Sequence, residues 1–151
     1  MEDMKNSLHK LNSIFKEGDE IYRMAAKRTG LPDCAFWILY TLRADGSDQT
    51  QSEICEALYQ PKQTVNSALK KLEAEGYIAL MAEGDRRSKR LRLTGKGLGL
   101  AEKTVDRVIS RELKALSQLT AEEQKSFLRL YRKYIDLLGR NMQTLGKGGE
   151  E

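Results

Sequence analysis

The chain has two cysteines, two prolines, one histidine and one tryptophan in 151 residues. Two thiols cannot make the disulfide framework of a small secreted scaffold, and they suit a reducing compartment. His9 is the only imidazole, so there is no His/Cys cluster for a thiolate–imidazole metal sensor, and no metal or other cofactor is expected. A thiol enzyme built on Cys34 would lack a base, because His9 has no evident orienting partner; the chain is not expected to be an enzyme. No apolar run approaches the roughly 20 residues that span a bilayer. The opening MEDMKNSLHK lacks the apolar core of a signal peptide, and a cytoplasmic location is expected. Gly-Lys-Gly-Leu-Gly at 95–99 is not a phosphate loop, since the G-x-x-x-x-G-K-[ST] spacing is missing. Aromatics are scarce at 7 %, whereas charged residues reach 32 %, which suits a helical soluble protein better than a sandwich. The length favours a single domain, 1–151.

The charge that is present is unevenly placed. Net charge is only +4, but residues 61–98 hold nine Lys/Arg against four Asp/Glu, while residues 1–60 hold seven against ten. A basic middle third is the footprint of a nucleic-acid-binding module, although a solvated charged surface would look the same by count alone.

Periodicity then orders the chain. Leu8, Leu11 and Phe15, with Ile14, Ile21, Tyr22 and Ala25, recur at helical spacing over about residues 5–29, with Gly18 a local weakness. Gly30-Leu31-Pro32 ends this helix. Asp33 is expected to cap the next, which carries Phe36, Trp37, Leu39, Tyr40 and Leu42 to about Ala44. Ala-Asp-Gly-Ser-Asp at 44–48 reads as a turn. Thr50-Gln51-Ser52-Glu53 has capping-box spacing and opens a short helix expected to bury Ile54, Ala57 and Leu58. Pro61 then suits the first turn of a new helix, because its missing N–H would have had no partner there. A short helix, a tight turn and a second helix are helix-turn-helix spacing.

In that second helix Val65, Leu69 and Leu72 share one face with Ala68 beside them; Gln63, Ser67 and Lys70 point the other way, and Thr64, Asn66 and Lys71 lie on the flanks. Amides, hydroxyls and ammonium groups over an apolar back are what a groove-reading helix needs. An ordinary amphipathic surface helix shares the pattern; the capping box, the proline turn and the hairpin that follows tip the balance.

Gly76 stops the helix, and Ile78 and Leu80 alternate against Leu91 and Leu93, with Arg90 and Arg92 on the opposite face, as a two-stranded hairpin. Its tip holds Glu83, Gly84, Asp85, Arg86, Arg87 and Lys89. A basic helix followed by an arginine-tipped hairpin is how a winged helix-turn-helix meets a duplex, the helix in the major groove and the tip in the adjacent minor groove. Thr94 can cap a further helix, weakened at its start by Gly95, Gly97 and Gly99 and expected to be secure from Leu100 to about Leu116. Thr120-Ala121-Glu122-Glu123 is a second capping box, opening a helix with Phe127, Leu128, Tyr131, Tyr134, Ile135, Leu138 and Met142. That apolar stripe is wider than one helix contact requires. The tail, 146–151, reads as disordered.

On "AFWILYTL" (35–42), "KQTVNSALKKLEAEGYI" (62–78) and "DRRSKRLRLTGKG" (85–97), the chain resembles the MarR-type transcription regulators. The resemblance covers most of residues 5–143, and its specific part is 62–97. It implies a mainly α fold with a small β-hairpin wing: a winged helix-turn-helix at 33–98 between dimerisation helices at 5–29 and 100–145. It further implies a homodimer on a near-palindromic double-stranded operator, its two recognition helices about one duplex turn apart, and a role as a repressor released by a small molecule. The DNA-binding candidates are Lys62, Gln63, Thr64, Asn66, Ser67, Lys70 and Lys71 on the helix, with Asp85, Arg86, Arg87, Lys89 and Arg90 on the wing. In the family the tip aspartate orients a following arginine into the minor groove, which Asp85 with Arg86 or Arg87 matches.

For the trigger, Phe15, Tyr22, Phe36, Trp37 and Tyr40 could line an apolar pocket for a small aromatic or carboxylate effector, although their spacing fits core equally. Cys34 is the redox candidate. It lies at a helix start, which depresses a thiol pKa, with Asp33 opposing, so a modest depression is expected. Cys55 reads as packing. Peroxide-sensing relatives carry a reactive cysteine near the start of the first helix, where this chain has none. The rival readings are a winged helix that binds protein instead of DNA, against which the crowded lysines argue, and a cysteine-based redox-responsive regulator.

Overall fold

The computed structural model describes residues 1–46, 48–82 and 89–146. The elements run α1 (Glu2–Thr29), α2 (Asp33–Ala44), β1 (Gln49–Thr50), α3 (Gln51–Leu58), α4 (Lys62–Ala74), β2 (Ile78–Ala82), β3 (Lys89–Leu93), α5 (Gly95–Lys103), α6 (Val105–Ser117) and α7 (Ala121–Met142). They fall into two compact units, Met1–Ser110 and Arg111–Glu151.

In the first unit α2 is the pivot. Its apolar residues lie on two faces, and each face enters a different core. Ala35, Ile38 and Leu42 pack with Ile54 of α3, Val65, Leu69 and Leu72 of α4, and Ile78 and Leu91 of the sheet. Phe36 and Leu39 pack with Ala26 of α1, Ala101 of α5 and Val105 of α6. Each fully buried aliphatic or phenyl side chain contributes about 1.5–3 kcal/mol, so the two clusters fix α4 and the sheet on one scaffold. α1 ends at Gly30, whose φ of 76° is the left-handed cap conformation that glycine adopts without steric cost. Pro32, not Asp33, occupies the N-cap of α2. Asp33 is the first helical residue, and no side chain caps that end.

The Thr50–Glu53 capping box forms, with Thr50 Oγ1 accepting from the Glu53 N–H and Glu53 accepting from the Thr50 N–H. α3 buries Ile54, but Ala57 is exposed, and the half-buried Cys55 takes its place against the core. The hairpin has the expected register, Ile78 opposite Leu93 and Leu80 opposite Leu91. A third strand joins it: Gln49 and Thr50 pair antiparallel with Leu91 and Arg90, giving the order β1-β3-β2.

Past the wing, α5 begins at Gly95, five residues before the secure start expected from sequence. Thr94 is the cause. Its Oγ1 accepts from the Gly97 N–H at 3.0 Å and donates to the Gly76 carbonyl at 2.5 Å, while its own N–H reaches the Tyr77 carbonyl at 3.1 Å. The helix then breaks at Thr104 (φ −122°, ψ −91°) instead of running on to Leu116. Thr104 Oγ1 donates back to the Leu100 carbonyl at 2.7 Å, a local bond that competes with the helical ladder and bends helices. α6 restarts at Val105. Arg43 of α2 grips it by two bonds to the Asp106 carboxylate, at 2.8 and 2.6 Å.

In the second unit the capping box at Thr120 and Glu123 forms and opens α7. Gln124 ties the start of α7 to the carbonyls of Leu116 and Leu119, both at 3.1 Å. No residue of α7 is buried within the chain: Phe127 is 55 % exposed, Leu128 63 % and Tyr131 44 %, with the Phe127 and Tyr131 rings stacked at 5.8 Å. Residues 147–151, most of the tail read as disordered, lie outside the described residues.

Candidate nucleic-acid interface

α4 presents the division its sequence announced. Val65, Leu69 and Leu72 are buried, whereas Lys62, Gln63, Thr64, Ser67, Lys70 and Lys71 are exposed. Asn66 is half-buried, and its amide oxygen accepts from Nε2 of Gln51, the first residue of α3. Ser67 Oγ donates to the Gln63 carbonyl at 3.0 Å, one turn back. The turn from α3 to α4 passes through Tyr59, which is 95 % exposed and holds φ 51°, ψ 33°. This left-handed conformation costs a non-glycine residue about 1 kcal/mol, and the short turn imposes it.

The wing tip with Asp85, Arg86 and Arg87 lies outside the described residues. Lys89 is exposed at the head of β3, opposite Ala82. Arg90 is half-buried and donates to the Asp48 carbonyl at 3.0 Å; Arg92 pairs with the Asp48 carboxylate at 2.6 Å. The Arg92 guanidinium holds the Asp48 carboxyl below its usual range. These two β3 arginines therefore fasten the base of the wing to the segment before β1. Asp48 had read as part of a turn, because only the sheet brings it to Arg92, 44 residues away.

Of the five aromatics proposed to line a pocket, Phe15, Tyr22, Trp37 and Tyr40 are half-buried. Phe36 is fully buried, and its ring meets Trp37 edge-on at 5.0 Å; Tyr40 and Tyr22 lie 5.3 and 5.4 Å from Trp37. Tyr22, Phe36, Trp37 and Tyr40 thus form one aromatic cluster. A cavity of about 560 Å³ opens elsewhere in this unit, between the start of α2 and the flank of α4, and none of the five lines it. Pro32, Cys34 and Ala35 form one wall, and Ala68, Lys71 and Leu72 the other.

Cys34 faces that cavity, but its thiol is not activated. Burial pushes its pKa up, and the neighbouring Asp33 and Cys55 push the same way. This corrects the modest depression expected from the helix start: with Cys34 on the core side of α2, desolvation outweighs the favourable end of the helix dipole. Among the described residues no group of three or more His, Cys, Asp or Glu could hold a metal, and no helix is long and apolar enough to cross a membrane.

A helix pair joined by a tight turn, a β-wing directly after the second helix, and a basic polar face on that helix define a winged helix-turn-helix. The model of the MarR family matches residues 29–88, from the end of α1 to the wing tip. The HTH-type transcriptional regulator PecS of Dickeya dadantii (strain 3937) is 38 % identical over 122 residues, covering 79 % of this chain and 66 % of PecS. The MarR family regulator NMB1585 of Neisseria meningitidis superposes with a TM-score of 0.78 at 23 % identity, covering 91 % of this chain and 96 % of that one. MepR of S. aureus, in a complex with DNA, gives a TM-score of 0.66 at 23 % identity over 85 % and 93 % of the two chains. The chain belongs to the MarR family of winged helix-turn-helix transcriptional regulators.

Proposed function

We propose that this chain binds double-stranded DNA as a homodimer, reads a near-palindromic operator with α4, and represses transcription until a small molecule releases it. The observation that carries this is the polar, cationic front of α4. Lys62, Gln63, Thr64 and Lys70 project from a helix whose opposite face is fixed in the core by Val65, Leu69 and Leu72. A rigid back lets these side chains meet base edges and phosphates without reordering the scaffold. Arg86 and Arg87, with Asp85 to orient them, are assigned to the minor groove, and Lys89 to phosphate. Arg90 is tied to Asp48, so its part is to hold the wing. The second copy of the chain is assigned to the apolar surface of α7 and to the exposed Leu8, Ile14 and Ile21 of α1. Two-fold pairing sets two recognition helices roughly 34–36 Å apart.

The effector is assigned to the cavity beside α4, which none of the five aromatics lines. Lys71 would meet a carboxylate, and Ala35, Ala68 and Leu72 an apolar ring. Occupancy would bias α4 only through different affinity for the bound and free states. Filling the cavity by Ala68→Leu should abolish release by aromatic carboxylates while leaving operator binding in place.

Band shifts across a salt series test the core of this reading. The wild type should bind a selected site far more tightly than random duplex. Lys89→Ala should reduce the salt slope by about one unit, Lys70→Ala should act in the major groove, and joint loss of Arg86 and Arg87 should cost the preference for flanking A·T pairs. Equal binding to every sequence, or no change on removing both arginines at moderate salt, would refute it.

A further inference from the structure

We propose that Gln51 is a positioning residue for sequence recognition: by bonding the amide of Asn66 across the helix-turn-helix, it fixes which pole of that amide faces the groove. The assignment rests on α4 entering the major groove. Gln51 stands at the first turn of α3, immediately after the Thr50 cap, and Asn66 stands on the second turn of α4. Both are half-buried, and Gln51 Nε2 donates to Asn66 Oδ1. This is a side-chain bond between the two helices of the motif, made by residues 15 apart in sequence.

An unrestrained asparagine can present its carbonyl, its NH₂, or both to a base, and can satisfy adenine bidentately. Here the carbonyl pole is turned to Gln51, and the pole left free is the NH₂ with its two donors. A donor-only edge favours bases that display acceptors in the major groove, guanine through O6 and N7, thymine through O4 or adenine through N7. It disfavours cytosine, whose N4 amino group is itself a donor. Gln51 also removes the rotamer freedom that Asn66 would otherwise lose on binding. Ser67, Gln63 and Lys62 share this end of α4, but none of them has a bond to α3 among the described residues, so one base position per half-site should depend on the Gln51–Asn66 pair.

The polarity argument makes Gln51→Glu the sharp variant. A carboxylate can only accept, so it would draw the Asn66 NH₂ to itself and leave the carbonyl facing the groove. The favoured base should then change to one displaying a donor, cytosine N4 or adenine N6. Gln51→Met removes the bond without inverting it and should flatten the position, losing roughly tenfold discrimination, within the range of a good base contact. Asn66→Ala should flatten the same position, and combining it with Gln51→Met should add nothing there.

The experiment is selection of bound sites from a randomised duplex pool by the full chain in four forms: wild type, Gln51→Met, Gln51→Glu and Asn66→Ala. Melting temperatures are measured alongside, because a purely structural role for Gln51 would lower stability and weaken every site evenly without changing any base preference. An Asn66-dependent position of the wild-type motif that flattens with Met and changes to another base pair, or to the same pair reversed, with Glu supports the assignment. Identical motifs from the wild type and both Gln51 variants would overturn it and leave the DNA-reading role of α4 intact. No motif from the wild type would overturn the groove reading itself, and Gln51 with it.

Discussion

Replacing Gly97 by alanine should damage this protein far more than the same change two residues later. A Cβ built on Gly97 falls 1.9 Å from the Tyr77 carbonyl oxygen, 2.9 Å from its carbon and 3.2 Å from Leu93 Cδ2. The nearest obstacle is backbone, so no side-chain rotation relieves it. α5 would have to retreat by roughly 1.5 Å to restore ordinary contact. That shift strains the N-cap, where Thr94 bonds Gly97, Gly76 and Tyr77 together. Overpacking costs about 1–3 kcal/mol, and a lost buried hydrogen bond about 1 kcal/mol more. A total near 3 kcal/mol corresponds to a melting temperature lower by about 6–12 °C in a chain of this size. A Cβ on Gly99 meets nothing within 4 Å, so Gly99→Ala should gain about 0.5–1 kcal/mol of helix propensity. Thermal unfolding followed by circular dichroism, at one protein concentration for all three forms, separates the two. Equal melting temperatures for the Gly97 and Gly99 variants, or a destabilised Gly99→Ala, would refute the close-approach argument.

The Arg43–Asp106 pair should give an acid-side stability term of about 0.5–1 kcal/mol, modest because the pair is partly solvated. Arg43 holds the Asp106 carboxyl below its usual value in the folded state. That contribution is therefore complete above the unfolded carboxyl pKa and is lost as pH falls through the folded one. Denaturant midpoints of wild type and Asp106→Asn should differ at neutral pH and converge in acid; a constant offset would refute the linkage. Cys34, with its thiol pKa raised, should react with iodoacetamide more slowly than free cysteine at neutral pH and speed up as pH rises, and faster reaction at neutral pH would show an activated thiol. For assembly, light scattering at micromolar concentration should give about twice the 17.2 kDa chain mass, and Phe127→Glu with Tyr131→Glu should reduce it to one chain. A wild type that scatters as a single chain would remove the dimer.

Much of the architecture was written in local chemistry that depends on a few neighbouring residues. Thr50 with Glu53 and Thr120 with Glu123 cap their helices as their spacing announced, because both partners lie within one turn. The alternation of Ile78 and Leu80 against Leu91 and Leu93 set the hairpin register, since a slip of one residue would turn one strand's apolar pair to the opposite face. The apolar back and polar front of α4 followed from helical period alone. Those features were enough to identify a winged helix-turn-helix.

Other features depended on residues that meet only in the folded chain. The glycines at 95, 97 and 99 looked alike as helix breakers, yet only at Gly97 does the Tyr77 backbone pass where a side chain would stand. Two residues, Gln49 and Thr50, are too few for a strand signal and became one by pairing with β3. Arg90 reads as a DNA contact, and only the sheet shows that one of its guanidinium N–H groups is held by the Asp48 carbonyl across 42 residues. Cys34 sits at a helix start by sequence, but the core behind it decides its pKa, because desolvation depends on what packs around a group and not on its neighbours in the chain. The Gln51–Asn66 bond belongs to the same class. Sequence placed each amide on its own helix, and only the crossing of α3 and α4 turned one toward the other.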